Sequence, residues 1–264
     1  MGAILAGGLL LSSLSQAGPF DDPGHEILAM AAWATSVEAF EPGPMDIAAP
    51  ELGVASFGLP EAALGPATAD GFDVVSLGDG GFITLAFEEG IGNGTGDDLA
   101  VFENGFYSLG ALFAELAFVE VSSNGVDFAR FEATSLHQTP IGEGGTLDPS
   151  DVDNLAGDQP LGIGTGFDLQ ELAAHPLVLA GLLDPTAIYF VRLVDVIGDG
   201  STVDGAGAPV YDPYPTAFSS GGFDLEAVGV LHPAPEPSTT LLLMIGAGAL
   251  LGPARRRLSG RRSP

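Results

Sequence analysis

Carboxylates are the side chains with the most chemistry to offer in this chain, which carries 35 Asp and Glu against 7 Lys and Arg, 4 His and no Cys. Their spacing points to cation binding. Ca²⁺ typically takes about six to eight oxygen ligands from carboxylates, Asn and backbone carbonyls, on glycine-containing loops that can wrap the ion. Gly92-Asn93-Gly94-Thr95-Gly96-Asp97-Asp98, followed by Glu103 and Asn104, places such a supply at both ends of one apolar run. Asp195 with Asp199, Asp204 and Asp212 is a second supply. Asp224 and Glu226 are a third, because residues two apart in a strand project to one side while Leu225 projects to the other. Buried together, they need a positive partner that so few arginines can hardly provide. The candidate metal ligands are therefore Asp97, Asp98, Glu103, Asp195, Asp224 and Glu226, with calcium as the expected cofactor. Against this stands the ordinary use of Asp and Asn in turns, and neither loop follows EF-hand spacing. Asp151, Asp153 and Asp158 are expected to be solvated loop acids.

Enzyme signatures are scarce, and no catalytic residue is assigned. There is no Gly-x-Ser-x-Gly or HExxH pattern, and His25, His137, His175 and His232 are scattered. The glycine-rich runs at 92–96 and 162–166 lack the Lys and helix start of a phosphate site. With so many acids a carboxylate pair is inevitable, so pairing alone says little about glycoside hydrolysis. The expectation is a non-enzymatic protein. Its alternative is a calcium-dependent carbohydrate-active hydrolase, which requires a deep cleft with two carboxylates on rigid strands beside an aromatic platform. For sugar stacking, Tyr211 and Tyr214 of Tyr211-Asp212-Pro213-Tyr214-Pro215 form the candidate ligand-binding loop, unless they pack as a Pro-aromatic corner; Trp33 and Tyr107 are further candidates.

Charge is unevenly distributed. Five of the seven cations (Arg255, Arg256, Arg257, Arg261 and Arg262) lie in the last ten residues, so residues 18–233 hold 34 acids against Arg130 and Arg192 alone. Such a body repels phosphate, which excludes nucleic-acid binding and adhesion to anionic lipid through a basic face. Disorder is excluded too, since 46% apolar residues with 16 Phe can fill a core. Arg192 lies mid-run in an apolar stretch and is expected either to face solvent or to pair with an acid such as Glu120 or Asp98. Arg130 reads as an exposed strand residue.

The elements that must hold these groups are short. Residues 82–87, 99–102, 116–121, 128–131, 188–196 and 225–231 are rich in β-branched and aromatic side chains and bounded by Gly, Asp, Asn or Pro, the mark of strands. Asn124-Gly125 predicts a type I′ hairpin joining the third and fourth of them. Residues 167–175 predict one helix, with Asp168 as N-cap and Pro176 as stop. Residues 34–70 read as mostly irregular and 132–166 as a long polar excursion. The expected class is all-β, a jelly-roll-like β-sandwich ectodomain over 71–231 preceded by a mostly irregular segment, 18–70, that joins it.

The two ends read as processing signals. Residues 1–17 form a signal peptide: Gly2 to Leu14 are apolar or small, and Ser15-Gln16-Ala17 suits cleavage before Gly18, although no Lys or Arg marks its start. Residues 232–264 form a tripartite tail. Pro235-Glu236-Pro237-Ser238 is followed by 16 apolar or small residues, Thr239 to Ala254, then by the arginine cluster. As a helix the apolar stretch spans ~24 Å, short for a ~30 Å hydrocarbon core. Arg255, Arg256 and Arg257 are the membrane stop signal and stay on the cytoplasmic side, which sends the acidic body across the inner membrane.

This tail resembles the PEP-CTERM sorting signal of Gram-negative bacteria, in which the Pro-Glu-Pro motif, an apolar helix and a basic cluster are recognised by an exosortase. The resemblance implies exosortase as partner, Pro235, Glu236 and Pro237 as sorting motif, transient residence in the inner membrane through one short transmembrane helix, and delivery to the cell surface or extracellular polysaccharide matrix. The alternative is an ordinary C-terminal anchor. Segments of the body, among them Gly96-Asp97-Asp98-Leu99-Ala100-Val101-Phe102-Glu103-Asn104, Phe118-Val119-Glu120-Val121-Ser122-Ser123-Asn124-Gly125 and Ser220-Gly221-Gly222-Phe223-Asp224-Leu225-Glu226-Ala227-Val228, resemble a recurrent ectodomain of bacterial surface proteins. That resemblance implies a galactose-binding-like jelly roll, among which carbohydrate and calcium binding are common.

Overall fold

Runs of apolar and β-branched residues, alternating with polar ones in the outer strands, build most of the seven strands of five or more residues among the described residues: β1 Ser36–Glu41, β2 Phe82–Ile91, β3 Leu99–Glu103, β4 Ala117–Ser122, β5 Ile163–Phe167, β6 Ile188–Asp195 and β7 Asp224–Val230. The structure, a computed structural model, describes residues 18–20 and 22–235. The expected signal peptide, Glu236 and Pro237 of the expected sorting motif, the apolar stretch and the arginine cluster lie outside the described residues.

The strands form two antiparallel sheets. One runs β5-β3-β7, extended by His25–Glu26 beside β5 and by Ala32–Trp33 beside β7. The other runs β4-β6-β2-β1, with Ala129–Arg130 on the outer side of β4. Ile83, Leu85, Val119, Val121, Val191 and Leu193 from the second sheet share one buried cluster with Leu99, Val101, Phe167, Val228 and Val230 from the first. Each such side chain contributes about 1.5–3 kcal/mol on leaving water. The first sheet is covered on its other face as well, where Ile27, Met30 and Trp33 pack on Ala100, Phe102 and Ala227. That double cover explains why β3 and β7 are buried at every position.

Several expectations are corrected. Within the segment read as mostly irregular, Ser36–Glu41 pairs with β2 as an edge strand, its acids Glu38 and Glu41 exposed. The polar excursion contains β5, a central strand. Its sequence, IGTGF, hides it because Gly164 and Gly166 replace the usual β-branched residues; a Cβ at Gly164 would sit against the Phe102 ring, so the close approach requires glycine. Ile141, Leu147, Val152 and Leu155 of the same excursion bury themselves with Leu116 and Phe118 in a second core. Asp158, expected in solvent, is 5% exposed.

Ala129–Arg130 does pair with β4, but not through a two-residue turn. Gly125 alone has positive φ there, and the Asn124 side chain accepts from the amides of Val126 and Asp127 to shape a wider loop. Asp168 caps as expected, accepting from Gln170 N, over a 3₁₀ helix Leu169–Ala174. Pro176 does not stop the chain's winding; it begins a further α-helical turn, Pro176–Leu179, at a position where its missing N–H is harmless. Both described arginines converge on Glu120: Arg130 at 2.8 Å and Arg192 at 3.4 Å, with Arg192 also stacked 3.7 Å over the Phe128 ring. The inner acids are thus left without either of them.

Candidate functional site

The hairpin that builds the site's wall lacks the usual turn signal. Phe106–Ser108 and Ala111–Phe113 pair in register, with Phe106 opposite Phe113. Leu109 and Gly110 form the two-residue connection, both at positive φ as a type I′ turn demands. Leu109 is fully exposed at 108% and gains nothing there. Leu109→Asn is therefore expected to raise stability by about 1 kcal/mol, read as a higher denaturation midpoint at unchanged slope; an unchanged or lower midpoint would refute the strain.

This hairpin stacks Phe106 on Phe113, ring centroids 5.0 Å apart at 18°. The pair, with Phe72, Leu161 and Phe218, walls a cleft of about 610 Å³ whose polar side chains include Asn104, Glu115, Glu143 and Asp224 beside the hydroxyls of Thr216 and Ser220. Phe72 and Phe218 are exposed. The volume lies in the ~300–1,000 Å³ range of small-ligand sites.

Asp224 stands at the start of β7, taking hydrogen bonds from Ser76 Oγ and, at 3.1 Å, Asn104 Nδ2. It is the charged neighbour that acts most strongly on both Glu103, at the end of β3, and Glu115. Glu103 is 2% exposed and neither carboxylate oxygen has a hydrogen-bond partner. The amides of Asn104 and Gly105 approach it closely enough to favour its charged form somewhat, but not in bonding geometry. Burial, then the Asp224 charge, pushes Glu103 and Glu115 well above the usual carboxylate range. Burial pushes Asp224 up to about 6 against the opposing pull of Ser76 and Asn104. Glu115 is seated by Gly157, whose φ of +101° and contact with the Glu115 carbonyl leave no room for a Cβ. The result is an acidic floor beneath aromatic walls, with no Lys or Arg among the described residues lining it.

The six acids read as metal ligands divide among several places. Asp98 is spent on the amides of Gly94 and Leu169 and on His232. Asp195 is spent on the amides of Gly80 and Phe223. A β-bulge between Leu225 and Ala227 separates the roles of Asp224 and Glu226: one Glu226 oxygen takes the amides of Thr68 and Ala69, and the other is buried without a partner. Asp97 meets His25 Nε2 at 2.7 Å and faces a second cavity of about 380 Å³, lined also by Asp22, Asp153, Asp158, Asp168 and Glu171 and by no Lys or Arg. Among the described residues, no three His, Asp or Glu side chains converge as placed to grip a metal ion.

Tyr211 packs on the second core, and the Tyr214 hydroxyl donates to Asp46 at 2.8 Å, so these tyrosines form a packed corner away from the cleft. Sequence reading missed the phenylalanine pair and Glu115. Two signals were present: apolar residues placed symmetrically about Leu109-Gly110, and a single acid inside the apolar run Ala114 to Phe118. No helix among the described residues is long and apolar enough to cross a membrane. No family model matches the chain, and no curated protein is significantly similar to it.

Proposed function

We propose that this is an exported, non-enzymatic protein of the cell surface or exopolysaccharide matrix, with a jelly-roll-like β-sandwich ectodomain that associates with glycan and is stabilised by calcium. An exosortase sorts it through Pro235, Glu236 and Pro237 after its C-terminal helix has held it briefly in the inner membrane. The observation that carries the glycan reading is the cleft walled by the Phe106–Phe113 pair above polar groups, the combination that saccharides use: ring faces for their C–H surfaces and oxygens for their hydroxyls. Calcium is favoured by the six-carboxylate cavity around Asp158, where hard oxygen ligands gather with no Lys or Arg in the lining and only His25 beside Asp97. Binding there requires those side chains to turn inward on the ion.

A hydrolase reading draws on the same cleft, since Glu115 and Asp224 stand beside an aromatic platform. Acid catalysis, however, works through two carboxylates whose environments drive their pKa values apart, one protonated and one ionised. Here burial drives Glu103, Glu115 and Asp224 all upward, and the cleft's lining includes no positive side chain to hold one of them ionised.

Incubated with exopolysaccharide, the full-length protein is expected to co-sediment with it and release no reducing ends. Steady release that stops in Glu115→Gln would establish the hydrolase instead, and absence from the pellet would end the glycan reading. In the cell, alanine at Pro235, Glu236 and Pro237 is expected to leave the protein in the membrane fraction; unaltered delivery would end the sorting reading.

A further inference from the structure

The floor of the cleft poses a charge problem that a neutral sugar does not solve. Glu103 is buried with both carboxylate oxygens unpartnered, next to Asp224, which itself faces the cleft with Glu115. Water-filled or occupied by hydroxyls alone, these three acids have no positive partner and burial holds them toward their protonated forms; a cation can ionise and pair with them, whereas a uronic acid or other anionic glycan cannot. The walls narrow the choice of cation. A hard metal ion gains nothing from phenylalanine, whereas an organic ammonium is attracted both by carboxylates and by aromatic faces. Of the residues lining the cleft, Phe72, Phe106, Phe113 and Phe218 are aromatic, and the stacked pair offers a flat surface of the kind that the C–H face of a pyranose covers.

We propose that the cleft takes an amine-bearing saccharide, its pyranose ring on the Phe106–Phe113 wall and its ammonium directed to the carboxylates of Asp224 and Glu115, which line the cleft next to the buried Glu103. This inference rests on the glycan-associated reading above and names its ligand class: glycans with free amino groups rather than neutral, N-acetylated or acidic ones. The body's charge acts in the same direction at longer range, since 34 acids against two arginines over residues 18–233 draw a polycation toward the surface and speed its encounter. The ammonium donates hydrogen bonds, the carboxylates accept them, and partner charge at the floor favours their ionised forms on binding.

The test is calorimetric titration of the full-length protein in detergent at pH 6.5 with a glucosamine tetramer, its N-acetylated counterpart, a neutral glucose tetramer, methylammonium and Ca²⁺. The glucosamine tetramer is expected to bind at least about tenfold more tightly than the N-acetylated or neutral ones. Asp224→Asn, which keeps the shape and removes the charge, is expected to weaken it on the order of 100-fold. Phe106→Ala, on an exposed hairpin where misfolding is not at issue, is expected to weaken it roughly tenfold while leaving any methylammonium binding less affected. Equal binding of charged and neutral tetramers would overturn the ammonium contact and leave the glycan reading standing. Binding of no saccharide would overturn both. Methylammonium binding as tightly as the tetramer would overturn the saccharide part, and competitive displacement of the tetramer by Ca²⁺ would overturn the proposal in favour of a metal site.

Discussion

Asp98→Ala is expected to lower the protein's stability by about 3–5 kcal/mol. Asp98 is 0% exposed, and its carboxylate gathers three segments distant in sequence: Gly94 N donates at 2.6 Å, Leu169 N at 2.9 Å, and His232 Nδ1 lies at 2.9 Å. Alanine leaves the Leu169 amide buried without an acceptor, at a cost of about 1–3 kcal/mol, removes the charge-assisted bonds to Gly94 and His232, worth about 1 kcal/mol each, and breaks the join between the loop before β3, the 3₁₀ helix and the chain after β7. Asp98→Asn, which keeps one oxygen, is expected to lose about half as much. Urea unfolding followed by Trp33 fluorescence reads the change as a shift in midpoint at constant slope. A loss under about 1 kcal/mol would refute the role assigned to Asp98. The same measurement separates a backbone clamp from a calcium ligand, because a clamp's contribution is the same in chelator and in millimolar Ca²⁺, while a ligand's disappears in chelator.

The second large effect concerns pH and calcium together. Burial, with the charge of Asp212, drives Asp195 well above the ordinary carboxylate range; burial does the same to Asp212, and pushes Asp158 up to about 7. In the unfolded chain these groups titrate near ~3.9. Between that value and about 7 the folded protein therefore holds more protons than the unfolded one, so stability falls as pH rises. For Asp158, which is 5% exposed, the loss across that window is on the order of 4 kcal/mol. In chelator the melting temperature is accordingly expected to drop by roughly 5–10 °C from pH 5 to pH 8. Millimolar Ca²⁺ at pH 8 is expected to restore most of it, since a ligand of the folded state alone stabilises by mass action. A melting temperature that does not fall with pH in chelator would contradict the buried, unneutralised acids. One that falls but ignores Ca²⁺ would end the calcium reading.

Much of the fold was legible because it is written locally. The runs at 82–87, 99–102, 116–121, 128–131, 188–196 and 225–231 all contain strands, since alternation and β-branching are properties of neighbouring residues. The Arg192 pairing with Glu120 followed from composition, because a cation mid-strand among so many acids readily meets one. β5 was not legible: Gly164 is selected by Phe102, about 60 positions earlier, and Gly166 by Asp97 and His25, residues that only the fold brings close. The cleft was hidden for the same reason. Glu103 and Asp224 were singled out, but the local signals at Glu115 and the phenylalanine pair, a lone acid and a symmetric apolar run, do not say that they share a cleft until β3, β7 and the hairpin are set side by side.

The sequence by itself determined the all-β class, the acidity of the body and the scarcity of cations to balance it, for these depend on residue type and near spacing alone. Only the tertiary structure decided what each acid does. A carboxylate satisfied by backbone amides, such as Asp98 or Asp195, and one buried without a partner, such as Glu103, are the same chemical group in sequence. They differ in which distant donors the chain brings within ~3 Å, and hydrogen bonding falls off too steeply with distance and angle for spacing along the chain to specify that.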